Sequence, residues 1–406
     1  MHTTDETPGG ARPPAAGPGP GRLGTLLVGY GTWGGNHARL LAAAPRIELT
    51  GIVEPSSERR DAARRAYPGV RVWAELDAAL ADPRTEAAVV ASPLHTHARV
   101  AGRLIASGRH VLVEKPFALT AADAEYLVRA AGAAGVVAMA GHTFLYCRPI
   151  VNLARLVHDG RLSEPVFLRS ERLGSQPRPD CGALWNLAPH DVAILLYLMN
   201  EPVAELSARS HFFAAGEHDD ATSIDLLFPS GASAVVQVSR RTAEKRRALS
   251  VFGAAWTLEY SQRPGGDRFA LEDAAARNGA AAPDALDRAL REGLRDGADG
   301  GVRYREPLLA ELEHFAECCR TGREPRSGGR HAAEVVRVLE AAAASAAAGG
   351  APVRLDRADG PPPPVPGTAG PTWQLLTRAQ RIADGASPDP ARELADHPQP
   401  ERRMPC

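Results

Sequence analysis

Residues 26–34 read Leu26-Leu27-Val28-Gly29-Tyr30-Gly31-Thr32-Trp33-Gly34, an apolar strand that runs directly into three glycines at the start of a helical pattern. The first glycine permits a tight turn and the second lets the backbone approach a pyrophosphate. The third lets the helix pack closely on the strand, with helix N–H groups facing the phosphates. Gly29, Tyr30, Gly31, Thr32, Trp33 and Gly34 are therefore the expected nucleotide contacts of this loop. Outward from it the pattern repeats. Thr25–Val28, Ile47–Val53, Ala87–Ala91, His110–Val113 and Gly135–Ala140 read as strands separated by amphipathic helices. Strands alternating with helices imply right-handed crossovers and a parallel sheet buried on both faces. Residues 23–146 are thus expected to form a doubly wound Rossmann domain.

The second strand ends Ile52-Val53-Glu54, an acid at the distance where a carboxylate takes the adenosine ribose hydroxyls. Glu54 favours NAD, because a carboxylate repels the 2′-phosphate of NADP; Ser56, Ser57, Arg59 and Arg60 nearby leave NADP open. The plainer alternative is that Glu54 caps the next helix.

Beyond Tyr146 the rhythm changes. A helix over Ile150–Asp159, a strand over Val166–Glu171 and a helix from about Pro189 to Met199 precede Val-rich strands at Ser223–Phe228, Ala232–Val238, Leu249–Gly253 and Trp256–Tyr260. Pro229-Ser230-Gly231 supplies a turn that points to antiparallel pairing. An α+β domain over 147–356 is expected, with 261–301, rich in Ala, Asp, Arg and Gly, as an insertion. Helices over Glu306–Cys319 and Arg330–Ala347 and the strand Ala351–Leu355 close it. The leader 1–22 and the tail 357–406, with Pro361-Pro362-Pro363-Pro364, read as flexible extensions; Trp373-Gln374-Leu375-Leu376 could dock on the body or on a neighbouring subunit.

The chain has 406 residues, 44% hydrophobic and 23% charged, a length and balance suited to two packed domains. With 47 Lys plus Arg against 48 Asp plus Glu, there is no global field for nucleic acid or an anionic membrane. Cys147, Cys181, Cys318, Cys319 and Cys406 lack a Cys-x-x-Cys pair and read as free thiols of a cytoplasmic protein. The leader has no apolar signal-type core, and no stretch reaches the length of a membrane span.

The chemistry enters at Val113-Glu114-Lys115-Pro116, which puts an ammonium at the carboxyl edge of the sheet, where ligands bind in such folds. Hydride transfer to a nicotinamide needs a cation to hold the oxygen and a base for the hydroxyl proton. Taken in order, the glycine loop, the Ala91-Ser92-Pro93 turn with His97, the Glu114-Lys115-Pro116 triplet and Trp185-Asn186-Leu187-Ala188-Pro189-His190-Asp191 resemble the Gfo/Idh/MocA family of sugar and cyclitol dehydrogenases over roughly Leu23–Leu355.

The resemblance implies that Ser92, Pro93, His97, Glu114 and Lys115 line the cofactor and that Lys115–Pro116 is cis. It also implies that His190 is the general acid/base and Lys115 its partner. In the family pattern Asp-x-Gly-x-His-x-x-Asp this chain carries Asn186, Ala188 and Ala193, so the usual carboxylate partner is missing. Asp191 or the lysine network is left to compensate, or the reaction runs mainly as ketone reduction.

Gly141–Tyr146 and Ser170–Gly174 are most similar to members that oxidise C3 of sugars or nucleotide sugars, which makes Tyr146, Arg172, Trp185 and Asn186 expected substrate contacts alongside Lys115 and His190. A cyclitol dehydrogenase, an antibiotic-pathway ketosugar reductase and a catalytically silent NAD or sugar sensor are the alternatives. His95, His97 and Asp191 do not make a metal set, and hydride transfer needs none. A homodimer or homotetramer is expected through a sheet face left uncovered by helices.

Overall fold

The computed structural model describes residues 21–174, 180–213, 218–263, 266–273 and 306–355. The expected tail, almost all of the leader and residues 274–301 of the expected insertion lie outside the described residues.

The apolar runs pack as read. β1 (Leu23–Val28), β2 (Ile47–Val53), β3 (Arg71–Trp73), β4 (Ala87–Val90), β5 (His110–Glu114) and β6 (Ala138–Gly141) form one parallel sheet in the order β3-β2-β1-β4-β5-β6. Every residue of β1 is buried, because helices cover both faces. Removing side chains such as Leu26 and Leu27 from water contributes about 1.5–3 kcal/mol each. The chain winds outward in both directions from the β1/β4 boundary, so the crevice beyond the carboxyl ends of these two strands is the place for a ligand.

Two elements differ from expectation. β3 is an edge strand of three residues, half-buried and too short to carry a period. β6 begins at Ala138, because Gly135 at φ +65° ends the preceding helix α5 (Ala121–Ala134) in a left-handed cap.

The second sheet runs β13-β12-β11-β7-β10-β9-β8-β14, with β7 (Pro165–Leu173), β8 (Glu205–His211), β9 (Ala221–Leu227), β10 (Ser233–Ser239), β11 (Arg246–Gly253), β12 (Trp256–Arg263), β13 (Gly266–Asp273) and β14 (Val353–Arg354). All pairs are antiparallel except β7 with β10. The start of the expected insertion therefore continues the sheet as β12 and β13.

Helix α7 (Ala183–Met199) lies on this sheet and starts six residues before the expected Pro189. Proline opens many helices, but here it sits inside one, where it withholds an N–H from the Trp185 carbonyl. The true start is fixed by Asp219, whose carboxylate accepts the Leu184 N–H at 2.8 Å.

Helix α8 (Pro307–Thr321) and helix α9 (Gly329–Ala347) complete the described fold. Helix α9 clamps the two sheets together: Ala332 and Val336 join a core of the parallel sheet, while Val335 and Leu339 join the larger core that runs from the parallel sheet into the second. Ser327, just before it, accepts the Ala140 N–H at 2.9 Å. This clamp sets the end of β5 against α7.

Candidate active site

The glycine loop has the geometry its sequence implies. Gly29 sits at φ +98°, and a Cβ there would come within 2.6 Å of the Ala91 carbonyl oxygen. A Cβ at Gly34 would lie 2.1 Å from the Gly29 carbonyl oxygen, so helix α1 (Thr32–Ala43) touches the strand through backbone alone. Beside Gly31 the space is open, the nearest atom being an Arg59 guanidinium nitrogen at 3.9 Å.

Gly31 caps α1 without a side-chain acceptor, and the first turn has no acidic residue. Its leading N–H groups thus suit a pyrophosphate. Thr32 and Trp33 are exposed there, and Tyr30 is half-buried against Tyr67.

Glu54 is buried at the end of β2; its carboxylate accepts the Tyr30 N–H at 2.7 Å and the Ser56 N–H at 2.9 Å. It does not cap α2 (Ser57–Ala66), whose cap is the Ser56 hydroxyl. Each carboxylate oxygen keeps a lone pair for a further donor such as a ribose hydroxyl.

The motif after β5 is built as a bracket. Glu114 Oε1 meets His37 Nε2 of α1 at 2.8 Å, and Glu114 Oε2 accepts the Lys115 N–H at 3.1 Å. Burial pushes the Glu114 carboxyl up, but the His37 hydrogen bond and the His37 and Lys115 charges outweigh it and leave it below the usual carboxylate range. Lys115–Pro116 is cis.

His97 is buried, with Nδ1 2.7 Å from the Pro116 oxygen and Nε2 2.9 Å from the Ser92 oxygen. His97 and Glu114, both expected to line the cofactor, tie the Ser92 turn, the Lys115 turn and α1 together, with both ring nitrogens of His97 on backbone oxygens. Ser92 bonds Thr96 at 2.6 Å, and Pro93 is exposed beside it at the carboxyl edge of β4.

Helix α7 brings His190, the expected acid/base residue, toward the lysine. Lys115 Nζ donates to the Asn186 backbone oxygen at 2.6 Å and to Asn186 Oδ1 at 3.2 Å. His190 lies one turn further along the same helix face. Burial first, then the charges of Lys115, Arg172, His142 and Arg247, hold the His190 imidazole well below its ordinary range. It is accordingly a neutral ring at neutral pH, with Nδ1 buried and unpartnered. The ring meets Phe144 edge-on at 4.9 Å, and the Arg172 and Arg247 guanidinium groups stack on that phenyl at 4.2 and 5.1 Å. His142, wholly buried with neither ring nitrogen bonded, is held well below its usual range by burial, His331 and Lys115.

Of the expected substrate contacts, Asn186 and Arg172 reach this group, and two others sit elsewhere. Tyr146 is buried with its hydroxyl on Ser327 at 3.2 Å and its ring under Arg326, facing a cleft of about 470 Å³ that includes His314 and Glu317. Trp185 lines a cavity of about 430 Å³ with Leu94, Leu119, Cys181 and Phe212, whose walls include neither Lys115 nor His190. Asp191, expected as a substitute carboxylate for His190, is committed to Arg172 (2.7 and 3.1 Å) and to the Ser170 hydroxyl (2.7 Å). Sequence reading did not single out Phe144 within Gly141–Tyr146, nor His142, Lys245 or Arg247. The alternation of Lys245 and Arg247 into β11 was the available signal for the last two.

Residues 23–142 match the model of the GFO/IDH/MocA "Oxidoreductase family, NAD-binding Rossmann fold", and residues 150–259 match that of the GFO/IDH/MocA C-terminal domain. A D-apiose dehydrogenase of Paraburkholderia graminis is 26% identical over 347 residues, 81% of this chain and 88% of the relative. A UDP-N-acetylglucosamine 3-dehydrogenase of Acidithiobacillus ferrooxidans is 29% identical over 239 residues, 58% of this chain and 72% of that one. The crystal structure of GenD2 from gentamicin A biosynthesis, in complex with NAD, is 27% identical with a TM-score of 0.67, covering 84% of this chain and 99% of its own.

Proposed function

Because this chain belongs to the GFO/IDH/MocA family of NAD-binding oxidoreductases, we propose that it oxidises a secondary hydroxyl of a sugar or nucleotide sugar, or reduces the matching ketone, with Lys115 and His190 as its catalytic pair. The observation that carries the proposal is the clamp of Lys115 Nζ on Asn186, one helical turn from His190. When bound, the nicotinamide supplies the hydride acceptor or donor.

The protein's own groups do the rest. Gly29, Gly31, Gly34 and the uncapped start of α1 would hold the pyrophosphate, and Glu54 would accept from the ribose hydroxyls. Lys115 donates a hydrogen bond to the reacting oxygen and stabilises the charge that grows there as the proton leaves. Neutral His190, with Nδ1 buried, accepts that proton at Nε2 and returns it in the reverse direction. Catalytic silence is disfavoured by the retention of both groups.

Lys115→Met and His190→Ala are each expected to lower NAD-linked turnover with the cognate sugar by at least a hundredfold while NAD still quenches protein fluorescence. Turnover near wild type in both variants overturns the assignment.

We also propose assembly as a homodimer or homotetramer through the face of the second sheet that carries Val166, Phe167, Leu227 and Phe252. Val166 and Leu227 are exposed there, and Phe167 and Phe252 stack at 5.5 Å. Light scattering tests this, and a monodisperse monomer rejects it.

A further inference from the structure

Beyond the catalytic pair, cations for which the hydride-transfer chemistry has no use gather around the Phe144 ring that abuts His190. Arg172 on β7 and Arg247 on β11 are cross-strand partners, and exposed Lys245, just before β11, is near enough to feel the charge of both. The two guanidinium groups share the Phe144 ring, which abuts His190. Arg172 is 5% exposed, and its Nη1 is buried without a partner. The carboxylate facing them, Asp191, has both oxygens taken by Arg172 and Ser170. Glu171, adjacent in sequence, projects to the opposite face and pairs with Arg246 at 2.8 Å. Among the described residues, Arg247 gains only the neutral amide oxygen of Gln262, at 2.6 Å. Asn186 presents neutral oxygens to Lys115 Nζ.

Like charges gathered in a partly buried space repel, and an arrangement of this kind persists most easily where a ligand brings the compensating anion. The repulsion is visible in the groups themselves. Burial and then Arg172 hold the Arg247 guanidinium below its usual range, and Arg247, burial and Arg172 do the same to the Lys245 ammonium.

We propose that the substrate of this site carries an anionic substituent, a carboxylate or a phosphate ester, which is received by Arg247, Lys245 and the unpartnered Nη1 of Arg172 while its hydroxyl meets Lys115 and His190. The inference rests on the sugar-oxidoreductase reading of the same site and narrows it: neutral polyols and cationic amino sugars become poor substrates. Planar guanidinium forks match the two oxygens of a carboxylate or phosphate, and Lys245 at the rim adds a mobile point charge.

The test uses three probes with one ring, N-acetylglucosamine, its 6-carboxylate and its 1-phosphate, each measured for NAD reduction and for binding to the NAD-loaded full chain by calorimetry. At least one anionic probe should exceed the neutral sugar tenfold or more in kcat/KM or affinity, and which of the two does so identifies the source of the charge. Arg247→Met and Lys245→Met should each lower the anionic-to-neutral ratio about tenfold, with Arg247→Lys retaining part of it. A neutral probe that equals both anions, an unchanged ratio in Arg247→Met, or no binding of any probe overturns the inference. Hydride transfer without anion preference leaves the dehydrogenase reading intact and removes this one. Arg247-dependent anion binding with no NAD reduction from any probe does the reverse.

Discussion

Replacing Asn186 with Asp restores a carboxylate at the one place where the charge state of the catalytic pair can be reset without altering shape. Asn186 Oδ1 is 3.2 Å from Lys115 Nζ, so a carboxylate there would be held ionised by the ammonium. It would sit one helical turn from His190, roughly 6 Å away. At an effective dielectric constant of about 20, opposite unit charges at that separation attract by roughly 3 kcal/mol, about two pKa units.

The groups now facing His190 are Lys115 after β5, His142 after β6, Arg172 on β7 and Arg247 on β11, and each disfavours the imidazolium after burial has done so first. Asp191 on the same helix is engaged by Arg172 and Ser170. The sign is therefore fixed: Asn186→Asp raises the His190 pKa. In the direction of alcohol oxidation the base must be unprotonated. The acid limb of kcat/KM, which reports the free enzyme, should accordingly move to higher pH by one to two units. Asn186→Ala removes the same hydrogen bond without adding charge and should not move the limb upward. The measurement is NADH formation under subsaturating sugar across the acid range. If the limb of Asn186→Asp coincides with that of the wild type, His190 is not the titrating base, and the electrostatic argument fails.

Three further perturbations follow from individual contacts. In Gly34→Ala the new Cβ meets the Gly29 carbonyl at 2.1 Å, so about 1–3 kcal/mol of stability and NAD binding should both be lost. Gly31→Ala meets nothing closer than 3.9 Å and should melt like the wild type yet bind NAD more weakly; calorimetry on both variants checks the pair. Arg172→Ala leaves Asp191 as a buried carboxylate without its cation and should cost about 3–5 kcal/mol in denaturant unfolding. Recovery of much of this loss in Arg172→Met with Asp191→Leu would locate the cost in the orphaned charge. Glu311 is fully buried, and burial, followed by the Glu114 charge, raises its carboxyl well above the usual range despite a bond from Thr143. A folded-state pKa above the unfolded value gives stability that is complete at acid pH and declines as pH rises toward the folded pKa. Glu311→Gln cannot ionise, so its thermal midpoint should gain on the wild type between pH 5 and pH 8; parallel curves for the two proteins would contradict this.

The parallel sheet was legible because its central strands are apolar on both faces and stand between amphipathic helices, a pattern local sequence fully encodes. β3 escaped because three residues carry no period, and its pairing is decided by a neighbour already in place. β8 alternates clearly in Leu206 and Ala208, yet its remaining residues are polar, since its other face is solvated. Pro189 misdirected the start of α7: local preference reads proline as an opening, whereas the tertiary cap from Asp219 lies 35 residues away. At the site, the glycines and Lys115 could be read from strand ends and backbone geometry, whereas His190, inside α7, was read only from its motif. Tyr146 and Trp185 turn toward other cavities than the Lys115–His190 group, a choice made by the packing of α7 and α8 rather than by local sequence. Arg247 was invisible for the converse reason, its relevance arising from cross-strand register with Arg172.

These placements change the meaning of Asn186. Taken alone, an amide in place of a carboxylate weakens a general base, because no negative charge remains to stabilise the imidazolium. Set against Lys115, Arg172, Arg247 and Lys245, the same amide keeps the chamber cationic, and a carboxylate there would compete with any anionic ligand for the Lys115 ammonium. A substrate carrying its own negative charge would lower the local potential on arrival and raise the His190 pKa only once bound. The base would then be weak in the open enzyme and stronger in the complex, so that proton acceptance is matched to the presence of the correct ligand. On that argument the missing carboxylate and the surplus cations are one electrostatic arrangement, with the countercharge moved from the protein to the substrate.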